Sequence, residues 1–151
     1  MFDLVNGLPV HVLVIHAVVV LVPLSALGAV AIALKSSWRR TYGPLLTGIA
    51  LVATVLCPVA TSSGEALQER VGDPGQHAEL GELLIWFMIP LTLLIAAMTW
   101  YARRDSGRLS GGLGTAVAAL TVVLAVATIG MVVWIGDTGA QAAWSGRIQA
   151  G

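Results

Sequence analysis

Four apolar stretches, roughly Val10–Leu34, Pro44–Thr61, Leu83–Tyr101 and Leu113–Ile135, restrict this chain to one kind of architecture. At about 1.5 Å per helical residue, each is long enough to cross a hydrocarbon core of about 30 Å. A backbone in that medium must satisfy its own polar groups, and a helix does so within one segment. The sequence therefore predicts an all-α integral membrane protein, a four-helix bundle forming a single transmembrane domain over residues 1–151. Composition agrees: 57% hydrophobic against 11% charged residues, with a mean hydropathy of +0.87, exceeds what a soluble surface of this size tolerates. The first stretch reads as a helix rather than a cleaved leader. No basic residue precedes it, it is longer than an h-region of about 7–15 residues, and no small-residue cleavage site follows.

Orientation follows from the basic residues, which stay on the cytoplasmic side when they lie in short loops. Lys35, Arg39 and Arg40 follow the first stretch, and Arg103, Arg104 and Arg108 follow the third. The opposite side then holds Asp3, a long loop from Ser62 to Glu82 with Glu65, Glu69, Arg70 and Asp73, and a tail with Asp137 and Arg147. This predicts a multi-pass protein of the plasma (inner) membrane with both termini extracytoplasmic. Trp38, Tyr42, Trp100 and Tyr101 at the inner interface, and Trp86 and Trp134 near the outer one, fit the preference of amphipathic rings for the headgroup region.

These placements exclude some functions. Six of the eight basic residues are explained by topology and the net charge is zero, so no nucleic-acid partner is expected. Cys57 is the single cysteine and falls inside the second span, where it reads as a small buried apolar residue. No Walker A loop, dinucleotide fingerprint, paired metalloprotease histidines or Cys-x-x-Cys occurs, and no nucleophile–base pair can be assigned. Independent catalytic activity is not expected.

The outer loop carries two helix-start signals. Ser62 with Glu65 fits a capping box opening a short outer-loop helix over Glu65–Val71, between spans two and three. Asp73, Pro74 and Gln76 fit a second start, so the third helix begins well outside the hydrocarbon. Ser25, Ala29 and Ala33, at four-residue spacing, mark a close-packing face on the first helix that builds the bundle or docks a partner.

The chemistry-bearing residues are the three histidines. His11, His16 and His77 all fall at the predicted outer end, although they come from distant segments. His16 lies about 7 Å below His11 along an apolar helix, at a depth where an ionisable group is costly and usually turned inward. Its imidazole either bonds a hydroxyl or carbonyl of a neighbouring span or ligates haem iron or another metal. Pro58 would free the carbonyl of Thr54 for the first role. His11 and His16 are about 140° apart around the helix and cannot easily share one ion, so a ligating pair must cross helices. His16 with His77 is the favoured pair, with His11 as alternate. Gly81, on the face of His77, leaves room for close approach, and Glu79, Glu82 and Asp137 at the same rim could orient a ring or simply be solvated.

The run Leu8-Pro9-Val10-His11-Val12-Leu13-Val14-Ile15-His16 resembles the Leu-Pro-x-His-Pro-Leu-x-Val-His opening of the bacterial membrane family known as domain of unknown function 2231, with Val12 where Pro is usual. Ser63-Gly64-Glu65 and His77-Ala78-Glu79-Leu80-Gly81 are similar to outer-loop signatures of its actinobacterial branch. That branch often ends in Gly-His-Ser-Gly-Ala, whereas this chain has Gly136-Asp137-Thr138-Gly139-Ala140. The resemblance implies a four-helix topology similar to that of small b-type cytochromes and a redox setting, since some relatives are joined to Rieske iron–sulphur domains. Two functions follow as expectations. One is an accessory subunit of a larger, respiratory membrane complex, in contact with lipid and other membrane subunits. The other is an electron-transfer protein binding haem b through two histidines near the outer face.

Overall fold

The computed structural model describes the backbone of residues 4–5, 8–73, 75–104 and 111–148, and side chains from 9 to 144 within that set. Asp3, Pro74, Arg108 and the side chain of Arg147 lie outside the described residues. Four helices account for nearly all of it: α1 (Val10–Leu34), α2 (Trp38–Val71), α3 (Gln76–Arg104) and α4 (Gly112–Ile148). Before them, Leu4–Val5 pairs antiparallel with Leu8–Pro9 in a two-residue ladder. All four helices are long and apolar enough to cross a membrane.

Expected and observed limits coincide for α1, whereas the other three helices overrun their apolar stretches. The reason is that hydrocarbon length sets where a helix must exist, while only breakers and caps set where it stops. For α2 the consequence is a correction. Residues 65–71 are helical as expected, but they continue the second span rather than form a separate short outer-loop helix. The capping box at Ser62 goes unused, because at mid-helix the amide groups it would serve are already bonded within the helix. α2 runs on to Gly72, whose φ of 95° suits a residue without Cβ and whose N–H bonds the carbonyl of Gln68 at 2.9 Å. The second start signal is also corrected: Asp73 Oδ1 accepts the Gly75 N–H at 2.8 Å, but Gly75 has a φ of 60° and α3 opens only at Gln76, so Asp73 closes a turn ahead of the helix instead of capping it, and Gln76 is the first helical residue rather than the third.

Each helix packs on its two chain neighbours, α4 closes back on α1, and the diagonal pair α1 and α3 touch lightly. Contacts pair the start of one helix with the end of the next, which gives an up-down-up-down bundle. Buried positions recur at three- and four-residue steps, as in Leu46, Ala50, Ala53 and Cys57 of α2 or Leu84, Met88, Leu91, Ile95 and Met98 of α3. Small residues let the backbones approach closely. Ser25, Ala29 and Ala33 are all buried, so this face of α1 builds the bundle and is not left open for a partner.

Buried hydroxyls spend their protons on carbonyls of their own helix: Ser25 on Leu21, Thr121 on Val117, Thr128 on Leu124. Thr54 bonds Ala50 in this way and also meets Thr92 of α3 at 2.9 Å, which ties the two helices at mid-depth. At the end opposite the histidines, Arg39 is buried and donates from Nε to Ile32 O at 2.7 Å and from Nη2 to Ala33 O at 2.9 Å. Its guanidinium thus serves carbonyls that the terminating α1 leaves unbonded. Lys35 over Trp38 (4.4 Å) and Arg104 over Trp100 (4.0 Å) add cation–π pairs at that end.

The Arg39 contact makes a prediction. Arg39→Met keeps the apolar stem and removes both donors, so the unfolding free energy in detergent should fall by about 1–3 kcal/mol. Arg40→Met, at an exposed position, should change it by less than about 0.5 kcal/mol.

Candidate functional site

The end of the bundle formed by the start of α1 and α3 and the late turns of α2 and α4 contains two half-buried imidazoles, His11 and His77. Each occupies the second position of its helix, where the apolar interior gives way to polar surroundings.

His11 turns toward α2. Its Nδ1 is 3.0 Å from the carbonyl oxygen of Ala60 and 3.3 Å from Ser63 Oγ, and Ser63 itself donates to Ala60 O at 3.0 Å. A carbonyl can only accept, so Nδ1 carries the proton and the neutral ring keeps its lone pair on Nε2. Beside it runs Gly64: a Cβ there would stand 3.1 Å from the ring's Cε1. His77 repeats this chemistry on α4. Its Nδ1 donates to Ile135 O at 3.0 Å, the Thr138 hydroxyl is shared between Trp134 O at 3.0 Å and the same Ile135 carbonyl at 3.1 Å, and a Cβ on Gly139 would stand 2.8 Å from the ring.

The local reason is backbone geometry. A helical carbonyl already accepts the N–H four residues on, but its oxygen has a second lone pair that the next turn's side chains normally screen. Glycine at that fourth position removes the screen, as Gly64 does for Ala60 and Gly139 for Ile135. The imidazole fills the notch and shares the second lone pair with the neighbouring hydroxyl. In a medium with no water to bond, such a carbonyl is the acceptor an imidazole N–H can find.

Other expected site residues fall elsewhere. His16 is exposed on the outside of α1 and its Nδ1 bonds Val12 O of its own helix, so the expected inward turn is not made, and it is His11 that shares the half-buried end of the bundle with His77. The i to i−4 carbonyl satisfies the ring locally, which removes the need for a neighbouring span. The Thr54 oxygen freed by Pro58 does not reach His16; both histidines of the pair use carbonyls further along α2 and α4. Gly81 faces open space rather than a close contact. Glu79, Glu82 and Asp137 are exposed, and Asp137 accepts from Gln141 Nε2 at 2.8 Å, so carbonyls and not carboxylates orient the rings. Cys57 is buried and donates to Ala53 O, in keeping with a packing residue.

Ser63, Gly64, Thr138 and Gly139 escaped the sequence reading as site residues. Their signal was present as a hydroxyl–glycine pair near the end of each even-numbered span, but nothing in one sequence says that an imidazole from another helix will fill the notch. Among the described residues no group of three or more His, Cys, Asp or Glu side chains converges as a metal site. Each ring is held through Nδ1 by a backbone carbonyl, which is how ligating histidines are commonly oriented.

Residues 7–151 match the family described as "Predicted membrane protein (DUF2231)". The chain belongs to that family. No curated protein and no solved structure matches it. The match includes both histidine cradles, so the site described above lies wholly inside the family's domain.

The two kinds of histidine should separate in a mutational test. His11→Ala and His77→Ala each remove an interhelical hydrogen bond and open a void, for an expected loss of about 1–3 kcal/mol in thermal unfolding. His16→Leu, at a lipid-facing position, should leave the midpoint unchanged or raise it.

Proposed function

We propose that this protein holds a b-type haem between His11 and His77 and passes electrons near one membrane face. The observation that carries the reading is the pair of imidazoles from diagonal helices, each with Nδ1–H bound to a carbonyl and, among the described residues, no hydrogen-bond partner on Nε2. The donor set fits the group: two histidines held at Nδ1 at the end of a four-helix bundle are residues that would hold haem iron. When bound, haem supplies reversible one-electron chemistry. The residues of this chain contribute the rest. Carbonyls of Ala60 and Ile135 fix the tautomers and strengthen the ligand basicity of both rings, Gly64 and Gly139 admit them, and the apolar bundle beneath limits water. The basic ends of α1, α2 and α3 support an orientation in which the opposite, histidine end faces away from the cytoplasm of a plasma-membrane protein.

A second reading, an accessory subunit of a larger respiratory complex, is favoured by a different observation. An apolar crease on the outside of the bundle, lined by Leu21, Pro44, Leu45, Gly48, Ile49 and Val52, is open where Gly48 lacks a side chain. On this reading the protein leaves the membrane together with other subunits under gentle detergent extraction.

Protein expressed with ample haem and purified in detergent should show a Soret band and, once reduced, an α-band. His11→Ala or His77→Ala should abolish them and His16→Ala should leave them intact. A colourless wild-type protein, or bands that survive loss of His77, would remove the haem reading. Extraction as a free monomer or homodimer would remove the accessory one.

A further inference from the structure

The two cradles share more than chemistry. The spacing that carries His11 onto His77 also carries every buried residue of α1 onto a buried residue of α3, among them Val22 onto Met88, Ala29 onto Ile95 and Ile32 onto Met98. A second spacing, that from Gly64 to Gly139, carries Ala60 onto Ile135 and Ser63 onto Thr138. It also carries the buried Leu46, Ala50 and Ala53 of α2 onto the buried Thr121, Ala125 and Thr128 of α4. A shared helical phase alone would be weak evidence, because two buried stripes with steps of three and four residues agree in several registers. Here the phase of the core and the position of the site select the same register in both helix pairs.

The packing has the matching symmetry. In a ring ordered α1, α2, α3, α4, rotation by half a turn about the bundle axis exchanges α1 with α3 and α2 with α4. It converts the contact of His11 with α2 into that of His77 with α4. Side-chain identity differs between the halves and burial departs at Gly43 and Cys57, whose counterparts Ala118 and Val132 are only partly buried, while the two histidines, the two hydroxyls and the two glycines occupy matching places.

We infer that the chain is two copies of one helical hairpin about a dyad along the bundle axis, and that Ser63-Gly64 and Thr138-Gly139 are the equivalent positioning residues of a two-imidazole site on that dyad. The ligand class is one that takes two like nitrogen donors; the haem reading is one case, and the inference deepens it. Each glycine seats one ring and each hydroxyl shares that ring's carbonyl. Perturbing one cradle therefore acts on one histidine.

The test uses the full chain with 15N-labelled histidine, in detergent at about pH 8 so that the rings are neutral, with no haem added. Single histidine substitutions assign the ring signals. In the unsubstituted protein both His11 and His77 should carry the proton on Nδ1 and none on Nε2. Gly64→Ala should displace the His11 ring signals and spare those of His77; Gly139→Ala should do the reverse, and more strongly because its approach is the closer. Haemin titration of the same variants should show weakening of about 10-fold or more from either substitution, as for other residues that orient a ligand through a hydrogen bond. If either alanine variant fails to fold, Ser63→Ala and Thr138→Ala give the same one-to-one readout by removing only the shared hydroxyl. Unchanged ring signals, or both rings moving together in every variant, would overturn the two-cradle assignment. Failure of the unsubstituted protein to bind haemin, with the one-to-one ring response intact, would remove the haem reading and leave the paired site standing.

Discussion

A bilayer interior offers no water, so every amide, hydroxyl and imidazole placed there has to find its partner within the chain. That constraint produces the four long helices, and it governs the side chains as well. Ser25, Thr121 and Thr128 return their protons to the preceding turn, Arg39 serves the last carbonyls of α1, and His16 folds back on Val12. Among the described residues no buried side-chain nitrogen or oxygen is left without a partner. Such a core is held by close packing of small residues and by hydrogen bonds rather than by expulsion from water, since lipid is as apolar as the core itself.

The site is the same rule carried to the rim. Two imidazoles need acceptors, and the second lone pair of a helical carbonyl is available wherever the next turn bears glycine. Gly64 and Gly139 open that access on α2 and α4, and the rings of His11 and His77 close it again. What emerges is a pair of donors whose tautomers are set by backbone atoms. Backbone atoms are hard to displace, and so is the tautomer they impose. The orientation of the rings does not depend on Glu79, Glu82 and Asp137, which are exposed.

Apolar length and charge placement made the span count and the all-α class legible, because hydrocarbon thickness and helix rise are fixed quantities. Helix ends were less legible. α2 and α4 extend past their apolar stretches since nothing there stops a helix, and the Ser62 capping box is a start signal only when a start is needed. The gathering of His11 and His77 at one end was visible from topology. Which histidine faces inward was not, because a ring can meet its need from its own helix, and the choice depends on neighbours that a linear pattern does not display.

By itself the sequence determined a membrane-spanning four-helix chain, its family, and the end of the bundle where the histidines gather, since these depend on length, hydropathy and the parity of the crossings. The tertiary structure alone decided that His11 rather than His16 turns inward, and that Gly64 and Gly139 rather than Gly81 admit the rings. Those outcomes rest on rotation about helix axes and on the depth at which helices meet. Both are fixed only when four rods pack at once, so that each buried group is satisfied by an atom on another rod.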